Sequence, residues 1–272
     1  MALPAPSASG TCVVTGASSG IGVEIARDLA RRGHGVTLVA RRRAELEALA
    51  ADLAAAHGVR TEVVTADLAE PADRAGLQRT LEDRGLVVDV LVNNAGFSTT
   101  GPVHRADVDA ELKMVRVDVE AVVDLCTRFA SGLVARGAGG ILNVASVGAF
   151  QPLPGQAGYA AAKAFVLAYS QALATEVKGT GVHVTTLCPG PVETGFGEAA
   201  GFTTDETEGA LPSFMWESAE DVAKAAVEGL VKGRTVVIPG AANLIGAYAG
   251  RLAPKSLLLP ILARQHPALR RP

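Results

Sequence analysis

The sequence predicts a doubly wound α/β fold, a parallel sheet with helices on both faces, formed by residues 1–272 as a single domain. Three observations carry this reading. Short apolar runs alternate with longer alanine- and leucine-rich runs at helical spacing, the pattern of a parallel sheet with right-handed crossovers. A glycine-rich turn, Gly16-Ala17-Ser18-Ser19-Gly20-Ile21-Gly22, separates the first strand from the first helix. Polar or glycine clusters recur at the strand ends, the edge where such sheets bind ligands. With 49% hydrophobic residues, 30 glycines and only 19% charged residues, the chain has the composition of a globular protein with much buried sheet.

Residues 1–9 contain two prolines and small residues and read as a loose lead-in, so order begins at Thr11. Residues 12–15 form a buried strand, and the glycine turn opens a helix to about Arg32. Backbone N–H groups and the helix dipole at such a turn attract phosphate, and the strand before it and helix after it supply the context the motif requires. The next strand, residues 36–40, ends in Arg41-Arg42-Arg43. An acidic residue at that strand end would hold a free ribose 2′-hydroxyl, whereas arginine suits a 2′-phosphate. Arg41 therefore points to NADP(H) over NAD(H).

A helix over residues 44–56 leads to a strand over 60–66 that ends in Asp67-Leu68, and the following helix starts at Pro71, which suits a first turn. Residues 87–92 make another apolar strand, closed by Asn93-Asn94-Ala95-Gly96. The spacing of Val115, Val119, Val122, Leu125, Cys126 and Phe129 predicts one long helix over 107–136. Residues 141–145 form a strand that delivers Ser146, and a helix from Gly158 to about Lys178 places Tyr159 and Lys163 on one face. A strand over 182–188 runs into Pro189-Gly190-Pro191. A cation near a phenol favours the phenolate, so the Tyr159–Lys163 pair is a usable acid and base closer to neutral pH. Of the three tyrosines, Tyr159, Tyr169 and Tyr248, only Tyr159 has a lysine four positions on.

These residues together resemble the short-chain dehydrogenase/reductase family over about residues 11–194. The motifs are TGASSGIG from Thr15, NNAG from Asn93, Ser146 thirteen residues before Tyr159, YAAAK ending at Lys163, and PGPVET from Pro189 to Thr194. The resemblance implies a Rossmann-type fold and a carbonyl/alcohol oxidoreductase. Tyr159 is then the proton donor or acceptor, Ser146 holds the reacting oxygen, and Lys163 tunes the phenol and binds the nicotinamide ribose. It further implies cofactor contacts from Gly16, Ser18, Ser19, Gly20, Ile21 and Gly22, with Ser18 assisting Arg41. Asp67 and Leu68 are implied at the adenine, Asn93, Ala95 and Gly96 on the ribose side, and Pro189, Gly190, Val192 and Thr194 at the carboxamide. Family members usually carry an asparagine in the long helix; aligned on Met114-Val115-Arg116-Val117-Asp118-Val119, that place holds Asp118. A carboxylate there can bind water and pair with Lys163, changing the tuning of the tyrosine.

Residues 195–216 read as a substrate lid, with Phe196, Phe202, Leu211, Phe214, Met215 and Trp216 as an apolar cover for a hydrophobic ketone, aldehyde or 3-oxoacyl compound, or as ordinary core cover. Residues 219–231 form a helix, 235–238 a last strand, and 235–272 a C-terminal cover whose apolar segments, 243–252 and 256–262, are too short to cross a bilayer. From Gly229 onward there are seven basic residues and no acidic one, so with −3 for the whole chain the preceding part carries −10. This tail reads as a helical pair capping the pocket or a subunit interface, with contact to an anionic membrane as the alternative. The resemblance also implies a homodimer or homotetramer, with the helices of Asp107 and Tyr159 as packing surfaces.

The net charge gives no nucleic-acid signal, and residues 1–10 lack a secretory n-region, which points to the cytoplasm. Cys12, Cys126 and Cys188 sit apart in apolar runs, and the five histidines show no metal-ligand spacing. The competing function is a nucleotide-binding regulator or scaffold that kept the fold without turnover, for which Asp118 is the only foothold.

Overall fold

The computed structural model describes residues 3–203 and 212–269. Seven parallel strands, β1 (Gly10–Thr15), β2 (Val36–Ala40), β3 (Thr61–Thr65), β4 (Val87–Asn93), β5 (Gly139–Val144), β6 (Val182–Leu187) and β7 (Val236–Val237), form one sheet in the order β3-β2-β1-β4-β5-β6-β7. The order reverses between β1 and β4, which opens the ligand crevice of a doubly wound sheet at their carboxyl ends. The predicted single α/β sheet is the observed one.

Helices α1 (Gly20–Arg31), α2 (Arg43–His57) and α8 (Ala219–Val231) cover one face. Their Ile25, Leu29, Leu46, Leu53 and Val227 pack with Cys12, Val14, Leu38 and Val92 of the sheet. Helices α3 (Pro71–Asp83), α5 (Ala121–Arg136) and α6 (Ala157–Glu176) cover the other, where Leu77, Leu81, Leu125, Leu133 and Val166 meet Val13, Leu91 and Ile141. Alternate residues of β1 thus feed opposite cores, as side chains of period two must in a sheet buried on both faces.

The long helix expected over residues 107–136 is interrupted. It consists of α4 (Val108–Val115), a π turn (Arg116–Glu120) and α5, with the Asp107 side chain capping α4 through the Ala110 N–H. A π turn accommodates one extra residue within a helix and occurs often at functional sites; here it carries Asp118, which is fully buried. The last strand is also shorter than expected, two residues. Beyond it the apolar C-terminal segments are helices α9 (Ala241–Leu252) and α10 (Lys255–Gln265), which follow the short helix α7 (Phe196–Ala199) and α8 in the chain. Among the described residues no helix is long and apolar enough to cross a membrane.

Candidate active site

The turn after β1 is shaped for a phosphate. Ser19 is the N-cap of α1 but makes no side-chain capping bond, and the first turn contains no acidic residue. Its N–H groups and the positive helix end therefore remain for an anion. Gly16 adopts φ +66°, and a Cβ on Gly22 would lie 2.5 Å from the Gly16 carbonyl oxygen, so only glycine lets helix and loop approach this closely. The Asn94 amide donates to the Thr15 and Gly16 carbonyls at 2.9 and 3.3 Å, tying the loop to the end of β4. The Thr194 side chain lies beside Gly20. These residues fit a dinucleotide's pyrophosphate.

At the end of β2 the arginine that reaches the glycine loop is Arg42, not Arg41. Arg42 donates to Ser18 Oγ and to the Ser18 carbonyl, both at 3.0 Å, while Arg41 stays exposed near Asp67. Arg42 is the extended N-cap residue of α2, so its backbone leaves the helix and turns back toward the loop. Arg43 faces along α2 and pairs with Glu47 at 3.1 Å. The Asp67 carboxylate is engaged by Lys113 at 3.0 Å and by the Ala69 N–H at 3.1 Å; burial pushes its pKa up, but these partners hold it below the ordinary value. The Leu68 carbonyl accepts from Arg74 at 2.7 Å. Arg74, 1% exposed, also pairs with Asp124 at 2.9 Å and with Glu120, and so fixes the chain after β3 against α5.

The Asn93 side chain is buried. Its amide donates to Asn143 Oδ1 at 2.8 Å and lies 3.3 Å from Cys126 Sγ, inside the sheet. Asn93 and Asn143 are register partners on β4 and β5, so both side chains leave the same sheet face. The Ala95 N–H donates to Thr15 Oγ1 at 3.1 Å. Gly96 covers the innermost charges of the site: a Cβ there would stand 3.0 Å from Asp118 Oδ2 and 3.1 Å from Lys163 Nζ.

Ser146, at the end of β5, and Tyr159 and Lys163, in the first two turns of α6, come together. Ser146 accepts the Gly148 N–H at 3.0 Å, and its side chain is near enough to the Tyr159 phenol to lower its pKa. Lys163 Nζ lies 5.6 Å from the Tyr159 ring centroid, donates to the Val144 carbonyl at 3.1 Å and stands 2.9 Å from Asp118 Oδ2. Asp118 Oδ1 accepts the Phe97 N–H at 3.1 Å. Burial pulls the ammonium of Lys163 down, but Asp118 and Tyr159 more than offset this and hold it charged. Burial raises the Asp118 carboxyl, with Lys163 pulling against it. For Tyr159 burial is again the largest effect and raises the phenol; Lys163 and Ser146 lower it, and Asp118 raises it further. The net direction is upward. The sequence expectation of a lowered tyrosine pKa is corrected here, because burial outweighs the ammonium and the neighbouring carboxylate cancels part of its field.

The loop after β6 closes the other side. Val192 forms a bridge to Glu217, and the Glu193 N–H donates to the Glu217 carbonyl at 3.2 Å, so this loop and the segment leading into α8 share one short ladder. The Val147 N–H donates to the Pro189 carbonyl at 3.0 Å. The Asn243 side chain of α9 packs on Gly190 and donates to the Met215 carbonyl at 3.0 Å. Burial pushes the Cys188 thiol up to about 12, so it is no nucleophile near neutral pH. Of the lid residues, Phe196 sets its ring 5.8 Å from that of Tyr159, and Phe202 lies 5.7 Å from His266. Phe214 is exposed, and Leu211 lies outside the described residues. Within the run Arg41-Arg42-Arg43 the sequence singled out Arg41 rather than Arg42, and it left Arg74 and His266 unmarked; of these two only Arg74 carries a signal, since it continues the buried stripe of Leu77 and Leu81 at helical spacing.

The glycine turn thus lies at the same sheet edge as the half-buried Ser146 and the buried Tyr159 and Lys163. The family model for short chain dehydrogenases matches residues 10–203, and the chain belongs to that family. Its members use NAD(P)(H) and act on CH–OH or C=O groups. It is 36% identical over 193 residues to a very-long-chain 3-oxoacyl-CoA reductase from Anas platyrhynchos, a match covering 68% of this chain and 60% of that protein. Among solved structures it resembles a short-chain dehydrogenase from Sphingobium yanoikuyae in complex with NADPH, at 35% identity and a TM-score of 0.78 over 89% of this chain and 94% of that one. It also resembles the bulky-bulky ketone specific alcohol dehydrogenase from Comamonas testosteroni, at 30% identity and a TM-score of 0.73 over 91% and 98%.

Proposed function

We propose that this chain is an NADP(H)-dependent reductase of a hydrophobic ketone, aldehyde or 3-oxoacyl compound. The observation that carries this reading is the meeting of the half-buried Ser146 with the buried Tyr159 and Lys163 beneath Phe196. The nicotinamide, when bound, supplies the hydride. Ser146 Oγ positions the carbonyl oxygen, the Tyr159 phenol donates its proton to that oxygen, and Lys163 stabilises the phenolate left behind. Asp118 is a positioning residue: it holds Lys163 charged in a dry site, and its own charge keeps the phenol protonated and ready to donate. Phe196 and Phe202 form the apolar side of the substrate space. Arg42 and Ser18, with no carboxylate at the end of β2, support a 2′-phosphate.

Both the Sphingobium neighbour's NADPH and the Comamonas neighbour's bulky ketones agree with these two assignments. The exposed Val108, Leu112 and Val115 of α4, with Phe165 of α6, form the candidate face for a second copy in a homodimer or homotetramer. The direct test is depletion of NADPH or NADH against aliphatic, cyclic and aromatic ketones, aldehydes and 3-oxoacyl thioesters. Turnover with NADPH and an apolar carbonyl is expected; turnover with NADH alone would overturn the cofactor assignment, and NADPH binding without turnover on any carbonyl would favour a regulator.

A further inference from the structure

Helix α9 is amphipathic the wrong way round for a surface helix. Its buried positions are Asn243, Ala247 and Gly250, small or polar residues that pack toward the 3-10 turn Val147–Phe150 and the Gly190 loop. Its outward positions, spaced by three and four, are Leu244, Ile245, Tyr248 and Leu252, of which Ile245 is 70% and Leu252 82% exposed. After Ala253 and Pro254, α10 presents Leu257 and Ile261, 67% and 53% exposed. A soluble helix normally turns such a stripe inward and its polar residues outward. Six large apolar side chains exposed on two consecutive helices mark a surface that meets something other than water.

Charge selects the occupant. The two helices carry Arg251, Lys255 and Arg264 and no acidic residue, within a tail that is wholly basic from Gly229 onward, on a chain otherwise acidic. A second copy docking here about a two-fold axis would bring these cations to a face made of the same cations. The exposed apolar side chains of α4 and α6 offer a copy a different place. Apolar side chains flanked by arginine and lysine match instead the boundary between acyl chains and anionic headgroups. Neither helix is long enough to span, so each would lie in the plane of the surface.

We propose that the outward face of α9 and α10 docks the protein onto an anionic lipid bilayer. The inner side of α9 rests on the segments around the site, where Asn243 covers Gly190, and Tyr248, at the margin of the outward stripe, makes an edge contact with Phe150 at 5.7 Å. Docking would therefore hold the substrate mouth close to the bilayer, where apolar carbonyl compounds partition.

The test uses the full chain, sedimented with vesicles of phosphatidylcholine alone or mixed with phosphatidylglycerol, at low and high salt. Binding to the phosphatidylglycerol vesicles that weakens with salt and is much reduced on phosphatidylcholine is expected. The double variant Ile245→Ser, Leu252→Ser is expected to lose about ten-fold or more of the vesicle affinity per residue, with unchanged thermal midpoint and NADPH affinity. Failure of the parent chain to sediment with anionic vesicles would overturn the proposal. So would light scattering showing that the double variant dissociates an oligomer while vesicle binding persists, which would assign the face to a second copy. Neither readout involves turnover, so these outcomes are distinct from those that bear on the reductase reading.

Discussion

Replacing Asp118 by asparagine restores the residue type usual for the family at this place and removes one negative charge from a fully buried site, 2.9 Å from Lys163. The reductive reaction needs a protonated Tyr159, so its rate is flat below the phenol pKa and falls above it. Burial and the Asp118 charge both raise that pKa, and Lys163 lowers it. In Asp118→Asn the carboxylate no longer opposes the ammonium, which the forming phenolate still holds charged, so the pKa falls. The alkaline decline of reduction then begins at lower pH than in the parent, and the rise of alcohol oxidation, which needs the phenolate, moves to lower pH as well. Asparagine keeps an acceptor for the Phe97 N–H, so folding is mostly retained. Alanine keeps none and strands the Lys163 charge, which costs about 3–5 kcal/mol for a broken buried pair. At about 2–4 °C per kcal/mol for a large domain, the thermal midpoint of Asp118→Ala falls on the order of 10 °C. The assays are pH–rate profiles in both directions and thermal unfolding of both variants. An alkaline limb that stays put or moves upward in Asp118→Asn would refute the proposed coupling of this carboxylate to the tyrosine.

Three further outcomes follow from the geometry. Arg42→Ala removes the charged donor that bridges Ser18, so the Kd for NADPH rises on the order of 10- to 100-fold while that for NADH stays nearly constant, measured by titration of nucleotide fluorescence. Gly22→Ala forces a Cβ to within 2.5 Å of the Gly16 carbonyl oxygen, which costs about 1–3 kcal/mol of stability by overpacking, and the loop shift weakens binding of both dinucleotides. Calorimetry of the variant with and without nucleotide checks both effects. Arg74→Ala leaves Glu120, Asp124 and the Leu68 carbonyl without their shared donor; because Glu120 is half exposed, a loss of about 3 kcal/mol in denaturant unfolding is expected, near the lower end for a buried pair.

The alternation of apolar strands with helical runs made the sheet legible in the sequence, and the glycine turn, Ser146, Tyr159 and Lys163 could be placed at its edge because strand ends and helix spacing fix them. What was hidden depends on single-residue rotations. The π turn adds a residue within an otherwise continuous apolar period, so the sequence pattern reads as one helix although Asp118 is turned inward to Lys163. Arg41 and Arg42 are adjacent, and only the backbone angle at the N-cap of α2 decides which of them reaches Ser18. Asn93 could have been assigned to the sheet interior by parity with Asn143, but the pairing of β4 with β5 that makes the comparison meaningful is a long-range fact. The apolar stripe of α9 was visible, whereas its outward direction follows from packing against the 3-10 turn and the Gly190 loop, which no local pattern encodes.

In the proposed reaction the Tyr159 phenol, held protonated by its buried surroundings, delivers the proton to a carbonyl. The measurement that tests it most directly is the rate of NADPH oxidation with the best carbonyl substrate for the parent and for Tyr159→Phe, with NADPH affinity measured on both. A loss of about 10²–10⁴-fold in kcat with NADPH affinity largely retained is predicted. A phenylalanine variant that turns over at the parent rate would contradict it.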